Sequence, residues 1–397
     1  ATAETVTVTV EPQPLSEVSA ATETVCSGSV PATTTGSLTG NEGIGDAYLI
    51  TAVLTSGTAI GFNSIYSGVS ASDGINANFF LLNGEASDAV VTYSVAAYTF
   101  GPNGVDDGGA EDDCVADAVT VTVTVEPEPL SEVTSATETI CSGSSPATTT
   151  GSLTGNEGIP NSGIGDAYLI TAVLTSGTAT GFNPSQSGVS ALADIDASNL
   201  TNVTASDAVV TYSVAAYTFG PNGIDDGGLD DDCVATAATV TVTVNPEPVV
   251  ASNDPGMALT FCSDETLGVN FAASTSVAAA TYNITALNLN GLSVSAGDVQ
   301  IEDGLSASDL ADDAFTNTTS AAVDVVYTVV PVSDQGCEGA SFTVTVTVDP
   351  EPTTDFPTEV IGICSGVTYN YDNQEKINEG NGVVSTFSWV HSAPQLF

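Results

Sequence analysis

Hydrophobic and polar residues alternate with period two in one recurring stretch. Val119-Thr-Val-Thr-Val-Thr-Val125 returns as Val240, Val242 and Val244, and again as Val344, Val346 and Val348, with threonines between. Strict alternation places successive side chains on opposite faces, so the valines are expected to face a core and the threonines solvent. Tyr48–Leu54 reads as a further strand, as does Val90–Phe100, whose Tyr93, Tyr98 and Phe100 are expected to anchor the core. Short strands separated by Gly, Asn and Asp turns, with no helical periodicity, predict an all-β chain of β-sandwiches.

The pattern is periodic on a larger scale. CSGSVPATTTGSLTGNEG from Cys26 returns as CSGSSPATTTGSLTGNEG from Cys141. GDAYLITAVLTSGTA from Gly45 returns from Gly165, and SDAVVTYSVAAYTFGPNG from Ser87 returns from Ser206. The second copy carries an extra Ile159–Gly163, read as a loop insertion. A third, diverged unit contains Cys262, Cys337 and the strand from Phe342, and a fourth opens at Pro350 with Cys364-Ser-Gly. A unit this long suits one domain per repeat rather than a small-repeat solenoid. Boundaries fall at the joints Glu11-Pro12-Gln13-Pro14, Glu126-Pro127-Glu128-Pro129, Asn245-Pro246-Glu247-Pro248 and Asp349-Pro350-Glu351-Pro352. This gives residues 1–10 as the terminal strand of a preceding domain, sandwiches over 11–125, 126–244 and 245–348, and an incomplete fourth over 349–397. Alternate prolines fix φ and resist pairing, so the joints are expected to be short and stiff and the whole an extended rod. The chain opens within a strand and closes within a unit, so it reads as a segment of a longer polypeptide.

Composition sharpens this picture. There are 397 residues, 49 Asp plus Glu against 1 Lys plus Arg, and a net charge of −48. Nothing here neutralises phosphates, so nucleic acid is excluded as a partner, and an anionic membrane surface has no basic patch to hold it. A mean hydropathy of +0.22 separates the chain from disordered acidic sequences. No stretch has the roughly 20 apolar residues of a membrane span.

Seven cysteines fall two to each complete unit. One stands near the start and one just before the closing strand, which predicts Cys26–Cys114, Cys141–Cys233 and Cys262–Cys337, with Cys364 left for a residue further on. Disulfides imply an exported, oxidising location. The acids concentrate before the second cysteine: Asp106, Asp107, Glu111, Asp112 and Asp113 in the first unit, and Asp225, Asp226, Asp230, Asp231 and Asp232 in the second. Clustered carboxylates repel one another, and hard oxygen ligands on a glycine-rich turn suit Ca²⁺. A solvated acidic turn is the alternative reading. The third unit lacks this loop and offers Asp309, Asp312 and Asp313 instead. No catalytic constellation stands out. His391 is the sole histidine and Trp389 the sole tryptophan, both in the last unit, so a Ser-His-Asp arrangement in the first three is impossible. Asn199, Asn202, Asn283 and Asn317 each begin a glycosylation sequon.

The CSGSSPATTT opening, the SDAVVTYSVAAYT strand and the VTVTVEPEP joint resemble the PKD-like, immunoglobulin-like repeats of giant Bacteroidota surface proteins, the gliding-motility adhesins among them. The resemblance implies tandem immunoglobulin-like (PKD-like) sandwiches. It also implies type IX secretion, a place at the outer membrane, and propulsion by the gliding machinery. Its implied contacts are other domains of the same chain and a polysaccharide or solid surface. A self-assembling filament or surface layer, and a carbohydrate-binding repeat, are the alternatives.

Overall fold

The computed structural model describes the chain except residues 1, 9, 12, 39–44, 77–78, 86, 111, 154–164, 220–223, 229–231, 251–258, 272–273, 355–361, 365 and 391–397. The expected insertion at 159–163, His391, and the acids Glu111, Asp230 and Asp231 lie outside the described residues.

Repeat 1 contains β1 (Thr22–Cys26), β2 (Ala47–Ser56), β3 (Ala59–Ile60), β4 (Ile65–Val69), β5 (Leu82–Asn83), β6 (Ala89–Thr99), β7 (Cys114–Val115) and β8 (Val119–Glu126). Its main sheet runs β1-β8-β6-β2-β4, with β7 also on β6, and β3 and β5 form a small second sheet. Repeat 2 follows the same plan with β9 (Thr137–Cys141), β10 (Ala167–Ser176), β11 (Ser185–Val189), β12 (Ala208–Thr218), β13 (Cys233–Val234) and β14 (Ala238–Asn245). Repeat 3 has β15 (Leu259–Cys262), β16 (Ala279–Asn288), β17 (Ser293–Ala296), β18 (Ala314–Thr316), β19 (Val323–Ser333) and β20 (Phe342–Asp349), with β17 and β18 as its small sheet. The structure is tandem β-sandwiches of immunoglobulin-like type.

The alternation is realised in the closing strands. Val121, Val123 and Val125 are fully buried, as are Val240, Val242 and Val244, and the intervening threonines are at least part-exposed. Each repeat has its own core: Tyr93 with Ile50 and Val123, Tyr212 with Ile170 and Val242, Tyr327 with Phe315 and Val346. Tyr98 is also buried but belongs to none of these cores, and Phe100 is only half-buried against it, with ring centroids 5.9 Å apart.

The first strand of each repeat pairs with the closing strand in parallel, a relation that local sequence does not announce. Cys26 stands level with Glu126, Cys141 with Asn245 and Cys262 with Asp349. The chain therefore enters a repeat at one end, where Ser16 Oγ accepts the Ala97 amide, and leaves at the other. Beyond Asp349 the described residues contain no strand. They form one helix, α1 (Asn373–Glu379), capped by the Asp372 carboxylate, which accepts from the amides of Gln374 and Glu375. Asn381 ties this segment to repeat 3 by donating to the carbonyls of Thr318, Thr319 and Glu351.

Candidate functional site

The cysteines do not pair within repeats. Cys26 bonds to Cys233, and Cys141 to Cys337, each with a Cα separation of 5.5 Å. The predicted Cys26–Cys114, Cys141–Cys233 and Cys262–Cys337 bridges are thereby corrected. Strand register supplies the reason. Cys26 lies level with Glu126 at one end of the sheet, one step beyond the Val125–Ala89 pair, whereas Cys114 pairs with Thr99 at the other. About eleven residues of extended strand, roughly 35 Å, separate them, where a disulfide needs Cα atoms within about 7 Å. Cys262 and Cys337 stand apart in the same way, beside Asp349 and Ser333 at opposite ends of β19.

Each disulfide instead spans a joint, from the far end of one repeat to the near end of the next. The joint is also held by hydrogen bonds. Thr218 Oγ1 donates to the Glu126 carboxylate at 3.4 Å across the first joint. Repeat 3 grips the second: Ser276 Oγ donates to the Glu247 carbonyl at 2.5 Å, and the Val249 amide donates to Ser274 Oγ and Ser276 Oγ. Gly339 packs on the same segment so closely that a Cβ there would lie 2.0 Å from the Pro248 carbonyl oxygen. Cys114, Cys262 and Cys364 are free. Cys114 matches Cys233 and Cys337 in position, and Cys262 matches Cys26 and Cys141.

The acidic loop is built on the tyrosine that sits outside the core. Tyr98 OH donates to Asp106 Oδ1 at 2.6 Å and accepts the Gly68 amide at 2.9 Å. Burial, with the neighbouring Asp106 carboxylate, pushes the Tyr98 hydroxyl up to about 12. Repeat 2 repeats the arrangement with Tyr217, Asp225 and Gly188 at 2.6 and 2.8 Å. Asp106 also accepts the Gly108 amide, Asp113 Oδ2 that of Gly109, and Asp232 Oδ2 that of Gly228. Five of the ten predicted ligands thus sort differently in repeat 1. Asp106 is an anchor for the loop, Glu111 lies outside the described residues, and Asp107, Asp112 and Asp113 converge, with an oxygen of each within 4.8 Å of the others.

Asp113 Oδ1 is buried without a hydrogen bond, which leaves an acceptor available to a cation. Asn103 Nδ2 bridges Asp107 and Asp112 at 3.2 and 2.8 Å and offsets part of their repulsion. Three carboxylates on one glycine-rich turn are the donor set that a hard divalent ion takes, and these residues could hold one. In repeat 2, Asp226 and Asp232 are the described counterparts.

The acids of repeat 3 have a different environment. Asp313 is almost wholly buried and accepts Tyr327 OH at 2.7 Å; burial raises its carboxyl to about 6, against the Tyr327 hydrogen bond and with help from Asp312, Asp309 and Asp298. Asp309 is raised as well, by burial and then by Glu302, Asp312 and Asp298. Asp196 holds the same place beneath Tyr212 in repeat 2 at 2.9 Å, and repeat 1 has the amide Asn76 there.

Sequence reading missed another set of residues. Asn83, Asn202 and Asn317 are buried, and each side-chain amide donates to the closing strand, at Val125, Val244 and Val348 respectively, and to a loop carbonyl. The sequon Asn202 and Asn317 amides are therefore engaged inside the fold. Their equivalence to Asn83, which starts no sequon, was the signal for a structural role.

Repeat 3 matches a known family. Residues 259–352 match the PKD-like domain. No curated protein matches the chain. Among solved structures, Drosophila N-cadherin EC1-4 is 11% identical, with 86% of this chain and 76% of that chain covered and a TM-score of 0.25. Mouse cadherin-23 EC22-24 is 12% identical, with 85% and 99% covered and a TM-score of 0.22. SGBP-B of a Bacteroides ovatus mixed-linkage glucan utilization locus, solved in complex with a mixed-linkage heptasaccharide, is 14% identical, with 86% and 69% covered and a TM-score of 0.15.

Proposed function

We propose that the chain is a non-catalytic stalk of an exported, adhesion-type surface protein. The observation that carries this reading is the pair of disulfides across successive joints, which fixes consecutive sandwiches end to end and requires an oxidising compartment. The PKD-like match of repeat 3 supports it. The resemblance of the opening and joint motifs supports the narrower role of a gliding-motility adhesin exported by type IX secretion. Its contacts are then the neighbouring repeats, the outer-membrane machinery, and a polysaccharide or solid surface met elsewhere on the polypeptide. Cys114 and Cys262 offer the same inter-repeat bond to further repeats. Immunogold labelling of intact cells tests the reading: label on the outer surface is expected, and label confined to the cell interior overturns it.

Ca²⁺ at Asp107, Asp112 and Asp113 is part of the proposal. A cation relieves the mutual repulsion of these acids and fixes the loop beside the joint. Millimolar Ca²⁺ is expected to raise the melting midpoint and chelator to reverse it, with Mg²⁺ much less effective. Equal midpoints in all three conditions remove calcium from the account.

A further inference from the structure

The connectivity of the two disulfides has a mechanical consequence. Each joint is crossed twice, once by main chain and once by a disulfide. Repeat 2 is spanned end to end by two short segments, from the first joint to Cys141 and from Cys233 to Asn245, and each continues covalently into a neighbouring repeat. One route runs through β1 to Cys26, across to Cys233, and along β14. The other runs along β8, through β9 to Cys141, across to Cys337, and along β20. Within them β9 (Thr137–Cys141) and the facing part of β14 run extended and parallel to each other.

We propose that these alternating disulfides make the rod a strain limiter, in which tension bypasses the bulk of each stapled repeat. Unfolding repeat 2 releases little length along either route, because each load-bearing segment is only about a dozen residues long and already runs from one end of the repeat to the other. The two routes also act in parallel, so loss of one disulfide leaves the other in place.

Pulling the 397-residue chain by its termini in an optical trap tests this. With both disulfides intact, the shortest covalent path is residues 1–26, back along the chain from 233 to 141, and then 337–397, about 180 residues or roughly 650 Å at full extension. Adding reductant to the same molecule is expected to lengthen it to all 397 residues, roughly 1,400 Å. Cys26→Ser lengthens the path to about 200 residues, through Cys141–Cys337, and Cys141→Ser lengthens it to about 190, through Cys26–Cys233. Only the double variant is expected to match the reduced chain. Because reduction in place needs no variant to fold, it decides the matter alone. A limit near 145 residues, the value for one disulfide inside each of three repeats, overturns the proposal. So does full extension of the oxidised chain. Non-reducing peptide mapping of the same sample identifies which cysteines were joined.

Discussion

Single side chains decide how the acids are used. Tyr98 binds its loop through one hydroxyl that both donates to Asp106 and accepts from Gly68. Tyr98→Phe leaves the Gly68 amide without its acceptor and Asp106 Oδ1 with only the Gly108 amide, and is expected to cost about 1–3 kcal/mol and to speed hydrogen exchange at the Gly68 and Gly108 amides. Unchanged exchange there removes the tyrosine as the anchor. Asn202→Ala removes the side-chain donor to the Val244 carbonyl and one of two side-chain donors to the Ser206 carbonyl, and is expected to cost a similar amount, about 1–3 kcal/mol, measured as a lower denaturant midpoint. Asp313 sets a pH dependence of definite sign. Its folded carboxyl titrates near 6, above the ordinary value of 3.8, so the native state binds the proton more tightly. Its contribution to stability is present below about pH 4 and is lost as pH rises through 6. Asp313→Asn, which keeps an oxygen for Tyr327, is expected to melt higher than the parent at pH 7 and to gain less on acidification to pH 5. Parallel pH curves for the two chains count against it.

At the scale of elements, Glu138 shows how an acid can serve a strand. Its carboxylate accepts the amides of Ala147 and Thr148 and the Thr148 hydroxyl, at 2.8, 3.0 and 2.6 Å. Burial alone would raise this carboxyl, yet those hydrogen bonds prevail and hold it below the usual range. This contribution is present above the ordinary carboxylate value and is lost as pH falls through the lowered one, the opposite sense to Asp313. Glu138→Gln is expected to weaken the tie between β9 and the following loop, seen as faster exchange of the Thr148 amide. The strands themselves were legible in the sequence, because Val and Thr alternate wherever one face is buried. What was not legible was the partner of the first strand. Parallel pairing of β1 with β8 joins residues 100 positions apart, and no local pattern records it. The disulfide partners depended on that one fact. Two cysteines per repeat were countable, but their placement at opposite ends followed only from register. The acidic loop was visible as composition, while the division of labour between Asp106 and its neighbours required the buried Tyr98 beside it.

For the whole molecule, charge and cross-links act in opposite directions. A net charge of −48, with Lys376 paired to Glu379 at 3.1 Å as the one basic side chain of the Lys and Arg class, leaves the repeats to repel themselves and each other. Added salt is expected to raise the melting midpoint of the intact chain by screening this repulsion. Thiol labelling under native conditions is expected to modify Cys114, Cys262 and Cys364 and to spare the four bonded cysteines. Labelling of Cys233 in the unreduced protein would contradict the joint disulfides. The overlap of the two disulfide loops, 26–233 and 141–337, has one more effect, which concerns damage rather than force. Any single peptide bond broken between Cys26 and Cys337 falls inside at least one loop, so a nicked chain remains one covalent molecule. Between Cys26 and Cys337 a protease must cut at least twice, at suitable places, before a fragment is lost.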